Sequence, residues 1–387
     1  MSGFKFGILS SIARLIGDFF YLDIDKKDYL QSIQPPLLII SNHVSNFDPV
    51  FINLAFPELI RFVASDSIFR SFLHRKIFSF LDIIPITKGI PDAGTLRGIF
   101  DAKKNRRFSA IFAEGQASWD GVNLPLASGT LRLIMGLKLP ILVLNIAGAF
   151  LAAGRWRKQS ERGEVTIMPS GYIDSKELAA YDEKTLGEKL EGLLAHDEWD
   201  WQKRNKKLLR GKRAEYMERS LYLCPVCFSD SSLFSIGHDL VCKKCGMKVF
   251  INPYGFFESS QIDFKTMRDW NIWQKTFLIE FLRERYKENK SLLSPENCTV
   301  SYGPIRHVSA FTYKAVLSLK NDALVMTSSE SSQFFMLKNI RGLNIQKNER
   351  MEFIHNNTLY RISFWNKRVS ALKWVDAIST LSNRSFL

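Results

Sequence analysis

The chain has 387 residues, 46% of them hydrophobic and 24% charged, which is enough apolar material for two or three globular domains and too much for a disordered chain. Its formal net charge of +14 calls for an anionic partner, either a lipid surface or a nucleic acid. No run of about 18 apolar residues is free of breakers, and no leader with a basic start, apolar middle and small-residue cleavage site opens the chain, so neither a spanning helix nor a signal peptide is expected.

Residues 4–20 repeat apolar side chains at helical spacing. Phe4, Ile8, Leu9, Ile12, Leu15, Ile16, Phe19 and Phe20 form one broad stripe, with Lys5, Ser11, Arg14 and Asp18 opposite. Such a helix either packs on its own domain or lies in a membrane interface, and the two Phe at its end suit the second. From residue 23 to 196, short apolar runs alternate with mixed helical segments. Strands are predicted at 36–41, 60–64, 83–86, 109–113, 140–146 and 164–169, and helices at 47–56, 66–80, 92–105, 128–138 and 183–195. This alternation predicts an α/β domain, a sheet covered by helices.

Two strand ends in this domain carry chemistry. After Leu37-Leu38-Ile39-Ile40 the chain reads Ser41-Asn42-His43-Val44-Ser45-Asn46-Phe47-Asp48. A tight strand-to-helix turn can bring the Asp48 carboxylate against the His43 imidazole, fixing its tautomer and leaving the other ring nitrogen to take a proton. The same pair can equally be a satisfied core histidine and a helix cap. The second strand end reads Ile111-Phe112-Ala113-Glu114-Gly115-Gln116-Ala117-Ser118, then Trp119-Asp120-Gly121.

Together these stretches resemble the glycerolipid acyltransferases of the lysophosphatidic acid acyltransferase family. There, His-x4-Asp is followed by Phe-Pro-Glu-Gly-Thr-Arg-Ser and a later apolar strand containing Pro. The counterparts here are His43/Asp48, residues 112–118, and Leu139-Pro140-Ile141-Leu142-Val143, with Ile84-Pro85-Ile86-Thr87-Lys88 as the block ending in a basic residue. The resemblance covers residues 30–195 and implies a glycerolipid-acyltransferase-like sheet covered by helices. It also implies an acyl thioester donor, acyl-CoA (acyl-coenzyme A) or acyl carrier protein (acyl-ACP), and a lysolipid acceptor. By the same resemblance His43 is the general base and Asp48 orients it. Lys88, Glu114, Gly115, Gln116 and Ser118 then bind the acceptor. Two departures matter. The family's phosphate-binding arginines are replaced by Lys88 and Ala117, with Gln116 in place of Thr. Lysine keeps a point charge but loses the bidentate fork. The resemblance makes 1-acylglycerol-3-phosphate the first acceptor to consider, and the two departures bring other lysolipids or alcohols close behind.

Residues 197–221 read as a basic linker helix: Trp199 and Trp201 precede 203–213, where seven of eleven residues are basic and none acidic. This is either a solvated face or a contact for an anionic membrane, at about 1 kcal/mol per basic residue near the surface. In residues 222–258, Cys224-x2-Cys227 and Cys242-x2-Cys245 are separated by fourteen residues, the spacing of a zinc ribbon. Four thiolates leave no open position, so the zinc would be structural. Metal-spaced Cys also point to a reducing cytosol rather than a disulfide framework, and Cys298 reads as a buried apolar residue. Residues 259–294 form a helical connector, with Trp270, Trp273, Phe277 and Phe281 as core along a helix at 262–290. Residues 295–387 are β-rich, with strands at 298–302, 311–319, 322–327, 332–337, 341–346, 351–355 and 358–365. A helix at 370–381 carrying Trp374 closes this segment, which resembles a pleckstrin-homology-like (PH-like) domain.

The combined expectation is a peripheral or monotopic acyltransferase on the cytoplasmic face of the cell membrane, with no nucleic acid as partner. Two other classes compete with it. One is a non-catalytic membrane or nucleic-acid binding protein on an acyltransferase scaffold, and the other is a thioester hydrolase.

Overall fold

The computed structural model describes residues 11, 13–65, 82–86, 93–127, 129–288, 291–305, 310–346 and 348–382. The chain divides into two compact units: residues 1–87 with 91–211, and residues 88–90 with 212–387.

The first unit is built on seven strands, β1 (Asp23–Ile24), β2 (Leu37–Ser41), β3 (Arg61–Ser65), β4 (Ile84–Ile86), β5 (Phe108–Phe112), β6 (Ile141–Ala147) and β7 (Thr166–Ile173). They lie in the order β1-β7-β6-β2-β5-β3-β4, and every pairing is parallel except β6 with β7. The middle strand β2 is buried at all five positions. A parallel strand covered on both faces is apolar along nearly its whole length, which is why residues 37–40 read as an unbroken run rather than an alternation, with only Ser41 polar at its end. Helices Asp48–Leu54, Ala93–Lys104, Thr130–Leu137 and Glu183–Leu194 connect or cover the strands. One core cluster joins Ile40, Ile111, Val143 and Ile173 of the sheet with Ile99, Ile134, Leu186 and Leu190 of those helices.

Register positions the chemistry. Because β2 and β5 are parallel and Ser41 pairs with Phe112, the residues that follow each strand leave the sheet side by side. In open α/β sheets this carboxyl edge is where ligands bind. His43 and Glu114 are therefore neighbours although 71 residues apart.

Several sequence expectations are corrected. Strand β7 continues past residue 169 to Ile173, because a register shift at Val143/Leu144 accommodates Pro169 opposite Leu144. Short helices Lys27–Ser32, Ala149–Ala153 and Ser175–Ala180 carry too little periodicity to be read in advance. The basic linker helix expected over 197–221 runs only Glu198–Asn205, with Lys206 left-handed at its C-cap. The Gln202 side chain accepts from Lys207 N–H (3.2 Å), and Lys203 would repel Lys207 one turn on. Trp199 and Trp201 are core residues rather than membrane contacts, exposed by 1% and 7%. The Trp199 indole donates to the Asp120 carbonyl at 2.6 Å. Of the expected helix 4–20, residues 13–19 are helical, while residues 1–10 and 12, like the expected helix 66–80, lie outside the described residues.

The second unit holds a four-stranded antiparallel sheet, β8 (Leu233–Ile236), β9 (Asp239–Cys242), β10 (Lys248–Ile251) and β11 (Phe257–Glu258), in the order β11-β10-β9-β8. The helix Met267–Lys287 follows, capped by Thr266 accepting from Asp269 N–H. Its Trp270 is fully buried, and the indole donates to the Leu223 carbonyl at 3.0 Å. Seven strands complete the unit: β12 (Glu296–Pro304), β13 (Phe311–Leu319), β14 (Ala323–Thr327), β15 (Ser332–Met336), β16 (Arg341–Gln346), β17 (Arg350–His355) and β18 (Thr358–Phe364). They form one antiparallel sheet, β15-β14-β13-β12-β18-β17-β16. Its edges β15 and β16 are joined by only Leu337–Ile340, a reach of at most about 17 Å. Flat, seven strands would hold those edges about 29 Å apart. The sheet must therefore curl. Helix Ala371–Ser382 packs against it, with Trp374 fully buried beside Phe364. The buried Asp230 side chain, accepting from Ser294 (2.7 Å and 2.8 Å) and lying 3.4 Å from Lys373 Nζ, ties the Cys-bearing segment to the curled sheet.

Candidate active site

His43 Nδ1 lies 2.7 Å from Asp48 Oδ2. That oxygen also accepts the backbone N–H groups of Val44 (2.8 Å) and Ser45 (2.9 Å), so the turn is wound around one carboxylate atom. Asp48 is completely buried, whereas the His43 side chain keeps 20% of its surface exposed. Asp48 opens a helix, where the positive end of the peptide dipoles favours an anion. With Nδ1 committed to the carboxylate, Nε2 is the ring nitrogen left for a substrate proton. The ring stacks on Phe112, the last residue of β5, at 4.2 Å and 17°. Asn42 steadies the turn from the other side: its side chain donates to the Ile146 carbonyl (2.9 Å) and accepts from Ile146 N–H (2.8 Å), clipping β2 to β6.

The Glu114 carboxylate is engaged on both oxygens by neighbouring backbone and side chain. Its Oε1 accepts from His43 N–H (3.2 Å) and the Asn123 amide (3.0 Å), and its Oε2 accepts from Leu124 N–H (2.9 Å). It ties the His43 turn to residues 123–124 and is only 5% exposed. Ser118 is likewise internal: its hydroxyl donates to Asp120 (3.1 Å) and accepts from Gly121 N–H (3.0 Å), and its own N–H holds the His43 carbonyl at 2.8 Å. Gly115 and Gln116 sit exposed at the tip of the turn. Gly115 has φ of +71°, which L side chains rarely adopt, and an added Cβ would press on Ala127 at 3.1 Å. Lys88 lies outside the described residues. Ala117, standing where the family motif has arginine, is buried. A guanidinium reaches its backbone from outside the motif: Arg155 Nη1 donates to the Ala117 carbonyl (2.9 Å) and stacks on Trp119 at 4.1 Å. Burial lowers the Arg155 pKa to about 9. Nothing in the sequence around Arg155 marked it.

Burial pushes the Glu114 carboxyl up to about 7, outweighing the three N–H donors that favour the anion. A carboxyl whose folded pKa is raised holds its proton more tightly in the native state. Its contribution to stability is therefore full in the acid range and is lost as pH rises through about 7. The difference amounts to about 3 kcal/mol. Glu114→Gln should flatten this part of the melting-temperature profile between pH 5 and pH 8, at a lower starting stability because the amide presents a donor to an N–H. An unchanged slope would remove Glu114 as its source.

The four sulfurs of Cys224, Cys227, Cys242 and Cys245 lie within 4.8 Å of one another. Cys224 and Cys245 are 3.7 Å apart and Cys227 and Cys242 are 3.6 Å apart. Zinc–thiolate bonds of about 2.3 Å place tetrahedral sulfurs about 3.8 Å apart, so the donor set fits zinc, and a disulfide would need about 2.0 Å. Each knuckle closes in the same way. Phe228 N–H donates to the Cys224 carbonyl and Gly246 N–H to the Cys242 carbonyl (both 2.9 Å), with Phe228 and Gly246 left-handed.

Residues 22–147, which contain His43, Asp48 and Glu114–Ser118, match the Acyltransferase family model. This part of the chain is an acyltransferase domain. Among solved structures the chain is similar to the 1-acyl-sn-glycerophosphate (LPA) acyltransferase PlsC from Thermotoga maritima. The identity is 18%, over 49% of this chain and 76% of that one, with a TM-score of 0.41. It is also similar to Vav1 inhibited by an allosteric inhibitor and to the apo activated truncation of Vav1, at 11% and 14% identity. Each covers 30% of this chain and 36% of that one, at a TM-score of 0.19. No curated protein matches the chain.

Proposed function

We propose that the chain transfers a fatty acyl group from an acyl thioester to the free hydroxyl of a lysolipid, with 1-acylglycerol-3-phosphate as the first acceptor and phosphatidic acid as product. The observation that carries this reading is the 2.7 Å contact between His43 Nδ1 and the buried Asp48 carboxylate, inside the acyltransferase domain. His43 Nε2 takes the acceptor hydroxyl proton as that oxygen attacks the thioester carbonyl. The tetrahedral intermediate then expels the thiolate, which takes the proton back from His43. Asp48 holds the tautomer and offsets the charge of the imidazolium. No acyl-enzyme is required. The donor is acyl-CoA or acyl-ACP. The acceptor and product are membrane lipids, so the protein works at a membrane, on its cytoplasmic face. No helix among the described residues is long and apolar enough to cross a membrane. The four-Cys site holds a structural zinc.

A second acceptor class has its own support. The exposed Gln116 and the buried Ala117 leave the turn tip without the guanidinium that recognises a phosphate monoester. The deciding experiment is a mass-spectrometric transfer assay with both donors and a panel of lysolipids and alcohols. Product from lysophosphatidic acid supports the first acceptor, and product only from an acceptor lacking a terminal phosphate assigns the Gln116-Ala117 change to specificity. Absence of product from every acceptor would leave a lipid-binding protein on an acyltransferase scaffold.

A further inference from the structure

We infer that the first unit carries a docking face for an anionic membrane, formed jointly by the N-terminal helix and the basic segment after residue 205. This rests on the membrane reading above and adds to it the surface involved. Four large apolar side chains are exposed there: Leu15 (70%), Phe19 (37%), Tyr21 (44%) and Leu208 (61%). Leu15 and Phe19 are four apart on helical residues 13–19 and so share one face. The helix has already committed its other side to the core, where Phe20 packs on Phe47 and Phe51 at 5.1 Å and 5.2 Å. The outward ridge is therefore left over after the core is filled.

Basic groups from elsewhere in the chain lie on these rings. The Arg162 guanidinium stands 5.7 Å from the Phe19 ring and 5.6 Å from Tyr21, and Arg210 stands 5.7 Å from Tyr21. Lys207 pairs with Glu164, which moors the basic segment beside the strand that follows Arg162. Among the described residues, neither Arg162 nor Arg210 pairs with a carboxylate, and Arg14 is exposed on the same helix as Leu15. An acidic protein or a nucleic acid would satisfy the arginines but leave Leu15, Phe19 and Leu208 against a polar surface. An anionic bilayer satisfies both sets: phosphates meet the guanidinium groups, rings sit at headgroup depth and aliphatic side chains enter the acyl boundary. Docked this way, the enzyme would take its acceptor from the same surface that holds it.

The test is co-sedimentation of the full chain with vesicles of phosphatidylcholine alone or mixed with phosphatidylglycerol, at low and high salt. The intact protein should bind the anionic vesicles and be released by salt. The double variant Arg162→Ser/Arg210→Ser should bind them about thirtyfold more weakly, as two surface charges predict. Leu15→Ser/Leu208→Ser should weaken binding at both salt concentrations. Lys176→Ser/Lys184→Ser, on other helices of this unit, should change nothing. All these positions are exposed, and unchanged melting curves would show that folding is intact. If the intact chain binds vesicles and the arginine and leucine variants bind equally well, this face is wrong and the membrane reading stands. If the intact chain binds no vesicles, both fail.

Discussion

Replacing His43 with Ala is expected to slow acyl transfer about a hundred- to ten-thousandfold, the contribution of a positioned general base. The fold should survive. Val44 and Ser45 N–H still hold the Asp48 carboxylate at 2.8 Å and 2.9 Å, and the Glu114 bracket grips the His43 backbone rather than its ring. The stability loss should be about 1 kcal/mol, from one hydrogen bond and the stacking on Phe112. The measurements are initial rates by mass spectrometry at saturating donor, beside a thermal melt of the same preparation. Asp48→Asn should reduce the rate similarly but destabilise more, because a buried neutral amide would replace an anion holding two backbone donors. Wild-type turnover by His43→Ala would move the base elsewhere and reduce the His43–Asp48 pair to a structural contact.

Replacing Cys242 with Ser is expected to have the largest effect on stability. Four sulfurs within 4.8 Å of one another are costly to gather without a cation. Structural zinc sites of this kind contribute about 10–16 kcal/mol in isolated fingers, comparable to the whole stability of a domain. The segment around the four Cys has only four short strands of its own. Loss of the metal should therefore open residues 222–258 to protease before the rest of the second unit, and should lower the zinc content measured by mass spectrometry. Cys298→Ala offers the contrast: Cys298 is fully buried in β12 and away from the cluster, so its loss should cost about 1 kcal/mol and leave the metal in place. An unchanged digestion pattern in Cys242→Ser would contradict a structural role for the metal.

Much of the candidate site was legible in advance because its signals are local. The apolar run at 37–40, the five-residue separation of His43 and Asp48, and Gly115 after Glu114 each state a strand, a turn or a left-handed position within a few residues. The four Cys were legible for the same reason, since a knuckle is a local turn and only its partner knuckle is remote. The basic segment was misread because its charge is visible in sequence while its anchors are not. The Gln202 cap and Lys206 conformation end the helix there, and Glu164 is contributed by a distant part of the chain.

By itself, the sequence determined the α/β class of the first unit, the β-rich second unit, the paired His43 and Asp48, and the metal spacing, all of which follow from periodicity or short separations. Only the tertiary structure brought Glu114 and Ser118 into the hydrogen bonds that hold the turn. Only the tertiary structure put Arg155 on the backbone of the altered motif, and Arg162 and Arg210 beside the rings of Phe19 and Tyr21 at the end of the N-terminal helix. The physical reason is that parallel strands pair across long crossovers, so which distant side chains meet at a strand end depends on register and sheet order rather than on local pattern.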